Sequence, residues 1–212
     1  MPRDIGPLVD PAHTVLLLQE CQTGVVGSLS ALPEMAEAAQ KEMVPNVVRL
    51  VGAARRAGVR VIHATAAHQP DMWGANQNAR VFQGVLKSPV KLVMGVEAVE
   101  VLDEIGVEGD DILFFRQHGL SPMQGTELDS LMRNAGVQTI VLAGVSANVA
   151  IPNTTFDAVN RSYQVVIPRD AIAGTPVEYT EQVLKHTLGY IATITTTADL
   201  VNAWKNKEKA PA

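Results

Sequence analysis

One cysteine, Cys21, is the whole thiol inventory of this chain. An internal disulfide and a cysteine-built zinc site are therefore both excluded. Basic clusters are lacking as well. Lys and Arg number 17 against 22 Asp and Glu, a net charge of −5, and that balance argues against nucleic acid or an anionic membrane as partner. Apolar runs such as Val15 to Leu18 fall far short of the roughly 20 residues that span a bilayer. The opening MPRDIGPLVDP has no basic stretch followed by an apolar one, so it does not read as a secretory leader. These absences together predict a soluble, cytoplasmic protein.

What is present is apolar bulk. With 47% hydrophobic residues in 212, the chain suffices for one sizeable α/β domain and is short for two. The expected organisation is a single domain over 1–212, with 1–12 on the surface and 204–212 as a peripheral tail. The last eight residues, KNKEKAPA, have the composition of a disordered segment. Short β-branched runs read as strands at Thr14–Gln19, Val59–Ala64, Ile112–Arg116, Thr139–Ala143, Tyr163–Ile167 and Ala192–Thr195. Helical patterns lie between them. One covers Met35–Ala57, with Pro45 either kinking it or opening its second half and Gly58 after its end. Another follows Thr126 as N-cap and stops before Gly136, and a last one covers Pro176–Tyr190. Strands alternating with helices imply a parallel sheet covered on both faces. Residues 66–95 break the alternation; a loop of that length is functional or carries a short helix, for which Ala75–Gly84 is the candidate.

The stretch TIVLAGVSANVAIPNTTFDAVN, Thr139 to Asn160, organises the rest. A buried strand is read as ending at Gly144; a polar turn, Ser146-Ala147-Asn148, leads into a helix whose first turn holds Pro152. In a parallel sheet this aims N–H groups and the positive end of the helix dipole at the carboxyl edge of the strands, where ligands of open α/β sheets bind.

Gly144-Val145-Ser146-Ala147-Asn148-Val149-Ala150 resembles the nucleophile turn of the isochorismatase-like (cysteine hydrolase) superfamily, which reads strand, Gly-hydrophobic-x-Thr-x-x-Cys, helix. The resemblance extends over nearly the whole chain. It implies a three-layer α/β/α fold around a six-stranded parallel sheet and a homo-oligomer, dimer or tetramer, for whose interface the apolar stretch Val81 to Val101 is the candidate. It also implies a non-proline cis bond at Val145–Ser146, with the N–H groups of Ser146 and Ala150 as an oxyanion hole. The family's nucleophilic cysteine position, however, holds Ala150, so thioester chemistry there is excluded.

The family's Asp at the end of the first strand corresponds to Glu20, in Glu20-Cys21-Gln22. Its lysine corresponds to Gln117, or to Arg116 if the Gly119 loop differs by one residue. Arg116 has the geometry to hold Glu20 or an anionic substrate, and His118 is a further acid/base candidate. Cys21, next to Glu20 on a strand, should face away from the site as a buried small hydrophobe. Gln22, Trp73, Asn76, Arg80, Ser146 and Asn148 are the candidate substrate-binding residues, with Asn78 beside them in the loop. His63 and His68 lack the carboxylate of the nicotinamidase branch's metal site, so no metal and no cofactor are expected. The functional expectation is a hydrolase of a small, carboxylate-bearing metabolite with Glu20 as general acid/base. The alternative is a catalytically silent pseudo-hydrolase that binds a ligand or scaffolds an oligomer.

Overall fold

The computed structural model describes residues 4–205 and Lys207. Its centre is a parallel sheet. The strands are β1 (Thr14–Gln19), β2 (Arg60–Ala66), β3 (Ile112–Arg116), β4 (Thr139–Val145), β5 (Gln164–Pro168), β6 (Ile172–Ala173) and β7 (Thr193–Thr195). Six run in the order β3-β2-β1-β4-β5-β7, and the two-residue β6 pairs with the end of β4. β1 and β4 carry no exposed position, which is why they read as unbroken apolar runs.

Helices cover both faces, giving three layers. After β1 comes the one-turn α1 (Thr23–Val26). The first half of the long helical pattern is α2 (Pro33–Ala38), which passes through a wide π turn, Ala39–Met43, into α3 (Val44–Ala57). Pro45 sits at the start of α3 and thus opens the second half, and Gly58 closes it in the left-handed conformation, φ 78°. Leu16 and Leu18 of β1 pack with Val47 and Leu50 of α3 and with Leu200 and Trp204 of α9 (Thr197–Lys205). Val15 and Leu17 pack on the other side with Leu128 and Met132 of α5 (Leu128–Asn134) and Ile151 of α6 (Ala150–Asn160). Val183 of α7 (Val177–Val183) completes that layer.

Several sequence-based boundaries move. Residues 4–12 are not simply surface: Val9 is buried, and its carbonyl accepts from Trp204 Nε1 at 2.9 Å. Trp204 accordingly belongs to the core, at the end of a helix unforeseen in the sequence; of the expected disordered tail, Asn206 and residues 208–212 lie outside the described residues. Gly144 does not end β4 but lies inside it at φ 108°. A Cβ there would sit 2.1 Å from the Gln19 carbonyl oxygen, so close contact of β1 and β4 requires glycine. The helix in the long loop is α4 (Arg80–Lys87), later than expected, and between α7 and β7 lie a π turn and the short α8 (Gly189–Ile191).

Candidate active site

All strands are parallel, so β1, β2, β3 and β4 deliver their carboxyl ends to one edge. β1 has β2 on one side and β4 on the other, with the chain running outward both ways. That reversal is the point at which open α/β sheets form a ligand crevice. A cleft of about 270 Å³ lies there, lined by Glu20, His68, Asn76, Arg116, Ser146, Asn148 and Ala150, with apolar walls from Met35, Val81, Phe82, Val85 and Leu92. It adjoins a more apolar cavity of about 440 Å³ that shares Glu20, Met35, Val81, Val85 and Ser146.

Glu20 leaves β1 with φ 55°, a left-handed conformation rare outside glycine. Its N–H still completes the ladder to the Ala64 carbonyl at 2.9 Å. The carboxylate meets the guanidinium of Arg116, whose Nη2 donates to Glu20 Oε1 at 2.5 Å. Arg116 is the last residue of β3 and is held further by Nη1, which donates to the Gly119 carbonyl and, at 3.5 Å, to that of His118. Of the two lysine-position candidates, Arg116 is the one whose charge meets the carboxylate. Gln117 turns its side chain to Gln69, whose Nε2 donates to Gln117 Oε1 at 3.0 Å.

His68, read in the sequence only as half of a weak metal pair, stands on the cleft wall. Its Nδ1 lies 2.7 Å from the Gln117 carbonyl oxygen. Burial pulls its pKa below the ordinary 6.5, and Arg116 acts the same way, against the Gln117 bond and Glu20. Nothing in residue spacing could have found it, because its anchor is a backbone carbonyl 49 positions away. His118, by contrast, does not line the cleft; its imidazole lies over Gly125.

Ala150 begins α6, and its N–H approaches Ser146 Oγ at 3.5 Å. The Val145–Ser146 peptide is cis, as the resemblance implied. Asn148 Nδ2 donates to the Thr175 carbonyl at 3.2 Å, while its Oδ1 is buried without a partner.

Gln22, expected to meet substrate, is fully buried and part of the frame. Its Oε1 accepts from Ala66 N–H at 2.7 Å, and its Nε2 donates to the Ala66 and Ala98 carbonyls at 3.0 and 3.2 Å. That amide ties the end of β1 to the end of β2. Trp73, 81% exposed, and Arg80 do not line the cleft. The long loop contributes Asn76 instead, whose Oδ1 accepts from Gly119 N–H at 2.7 Å, and the apolar side of α4. Of the stretch Val81 to Val101, proposed in the sequence as an interface, Val81, Phe82, Val85 and Leu92 line the cleft and Ala98, Val99 and Val101 are buried, while Val81 and Val96 remain 45% and 38% exposed. Cys21 is buried in the core on the α3 side, where burial pushes its thiol up to about 12. That leaves a protonated thiol and no nucleophile. Among the described residues no three His, Cys, Asp or Glu side chains converge as metal ligands, and no helix is long and apolar enough to cross a membrane.

Residues 14–199 match the family model of the isochorismatase domain. The chain belongs to the isochorismatase family. A probable inactive nicotinamidase of Arabidopsis thaliana is 32% identical over 149 residues, covering 68% of this chain and 74% of that one. A ureidoacrylate amidohydrolase of Methylorubrum extorquens is 26% identical over 182 residues, covering 79% of this chain and 73% of its own. Among solved structures, a cysteine hydrolase from Pseudomonas syringae pv. phaseolicola superposes with a TM-score of 0.80 at 24% identity, covering 93% of this chain and 94% of that one. This last likeness concerns the isochorismatase-like fold, which the three layers and the parallel sheet reproduce.

Proposed function

We propose that the protein is a hydrolase of the isochorismatase family that works without a covalent enzyme intermediate, on a small metabolite, with Glu20 as general acid/base. The observation that carries this reading is the Glu20–Arg116 pair, kept on the wall of a cleft at the ligand edge of the sheet although Ala150 removes the nucleophile. A carboxylate oxygen so placed can take a proton from water as that water attacks an acyl carbon, then return it to the leaving group. The N–H of Ala150, at the start of the 11-residue α6 and bonded only weakly to Ser146 Oγ at 3.5 Å, supplies the donor that a developing oxyanion needs. A carboxylate on the substrate would look to the same helix end, because the Arg116 guanidinium is already engaged by Glu20, His118 and Gly119.

The second reading, a ligand-binding protein without turnover, is favoured by the same alanine and by a relative that is named inactive. A homo-oligomer belongs to the proposal on either reading, supported by Leu113 and Phe115, which are 43% and 41% exposed on the edge strand β3. Light scattering that gives the monomer mass at micromolar concentration would remove it.

The test of function is incubation with a panel of small carboxylic acids and amides, with products read by NMR. Turnover that falls on the order of a hundredfold in Glu20→Gln is the expected result. A compound that shifts the thermal midpoint without ever being converted would establish the silent binder instead.

A further inference from the structure

We propose that His68 is a second catalytic base of the cleft, accepting through Nε2 the proton that the hydrated intermediate must lose. This deepens the Glu20 reading and rests on it. The imidazole shares the cleft wall with Glu20, Arg116 and Ala150. Its partner at Nδ1, the Gln117 carbonyl oxygen 2.7 Å away, can only accept. The neutral ring therefore carries its hydrogen on Nδ1 and a lone pair on Nε2. Among the described residues no protein group pairs with that Nε2. The backbone at this position is clamped from both sides, since His68 N–H donates to the Leu92 carbonyl at 2.7 Å and its own carbonyl accepts from Met94 N–H at 2.9 Å. The ring direction is thus fixed by three main-chain partners.

Hydrolysis gives this acceptor its work. When one water adds to an acyl compound R–CO–X, its oxygen forms the new C–O bond and the carbonyl electrons move to oxygen. The first proton passes by way of Glu20 to X. As the C–X bond breaks, X departs with that bond's electron pair, and the second proton, still on the new hydroxyl, leaves to Nε2. The products are R–COO⁻, HX and an imidazolium that returns its proton to solvent, so atoms and charges balance. The charged groups facing the ring are Glu20 and Arg116. Burial and Arg116 keep the imidazole neutral and ready at pH 7, and Glu20 stabilises the imidazolium once it forms.

The experiment uses the full chain, p-nitrophenyl acetate as acyl probe, and the variants His68→Asn and Glu20→Gln, each confirmed by circular dichroism to be folded at the assay temperature. Asparagine keeps an N–H donor for the Gln117 carbonyl and has no basic ring nitrogen, so it separates anchoring from proton transfer. In the wild type the rate should exceed that in buffer and fall with acid below pH 6.5. His68→Asn should lower it on the order of a hundredfold and abolish that limb. Loss in both variants supports both assignments. Loss in Glu20→Gln with rate and limb kept in His68→Asn overturns this inference and leaves Glu20 standing. Loss in His68→Asn alone supports His68 and removes Glu20 from the proposed function. Retention in both, or a wild-type rate no faster than buffer, sinks both. Long-range ¹H–¹⁵N NMR of His68, independent of turnover, must show the Nδ1–H tautomer; an Nε2–H tautomer would overturn the assignment outright.

Discussion

Arg116 donates to Glu20 across 2.5 Å, with side-chain exposures of 8% and 16%. A pair this enclosed is strongly interdependent, because removing one partner leaves the other charge without compensation in a poorly solvated place. Arg116→Met should therefore destabilise the protein by about 3 kcal/mol. The double variant Arg116→Met with Glu20→Leu should regain much of that loss while remaining inactive. Denaturant melts of the two variants would decide it: a single variant no less stable than the double would mean the pair is not coupled.

Cys21 offers the sharpest separation of thiol from carboxylate chemistry. Its side chain is in the core and its thiol is pushed up to about 12 by burial, with Glu20 adding to the effect. Cys21→Ser should leave turnover nearly unchanged under conditions where Glu20→Gln is crippled. A dead Cys21→Ser protein beside an active Glu20→Gln protein would reverse the roles.

The fold was legible because its central strands are buried on both faces and so read as continuous apolar runs; Thr14–Gln19 appears with the expected ends, and so does the edge strand Ile112–Arg116, whose outward Leu113 and Phe115 keep its run apolar. The turn into α6 was legible from Pro152 and the polar turn before it. What escaped has physical reasons. The β6 strand is two residues long and exists only because β4 lies beside it. The α9 helix was hidden by the charged tail, although Leu200 and Trp204, four apart, are both buried on one face. The left-handed turn at Glu20 and the anchoring of His68 depend on contacts with distant backbone, which residue type does not encode. Gln22 was misread because a polar residue beside a site looks like a ligand contact until its three backbone partners are seen.

Gly144→Ala tests how tightly β1 and β4 must approach. The new methyl would fall 2.1 Å from the Gln19 oxygen and 2.9 Å from its nitrogen, both backbone atoms, at a φ of 108°. Neither strand can yield without breaking the ladder at the cleft, so the change should cost at least about 3 kcal/mol or prevent folding. An alanine variant that melts like the wild type would show that the strands have room to separate.

The last prediction concerns acid. His63, in the middle of β2, is 1% exposed, and its Nε2 lies 3.0 Å from Asp111 Oδ2, which also takes Arg55 Nη2 at 2.5 Å. Since the carboxylate accepts, the hydrogen of the neutral ring is on Nε2, and the buried Nδ1 has no partner. Protonation would put a second buried donor there with nothing to receive it. Burial accordingly lowers the His63 pKa from 6.5, against the pull of Asp111 and with help from Arg55. The folded state thus binds this proton less readily than the unfolded chain does. Stability is full above pH 6.5 and declines as pH falls toward the depressed folded value. His68, depressed for the same first reason, adds to the decline. Asp111 acts lower down. Burial alone would raise its pKa, but Arg55, the Glu108 N–H and His63 outweigh that and hold it below 3.8, so its contribution is lost only in stronger acid. Between about pH 6.5 and pH 4 the histidines should therefore dominate. The thermal midpoint should fall through that window in the wild type and fall less in His63→Gln, which cannot take up a proton. A midpoint that tracks pH identically in both proteins would remove His63 from the account.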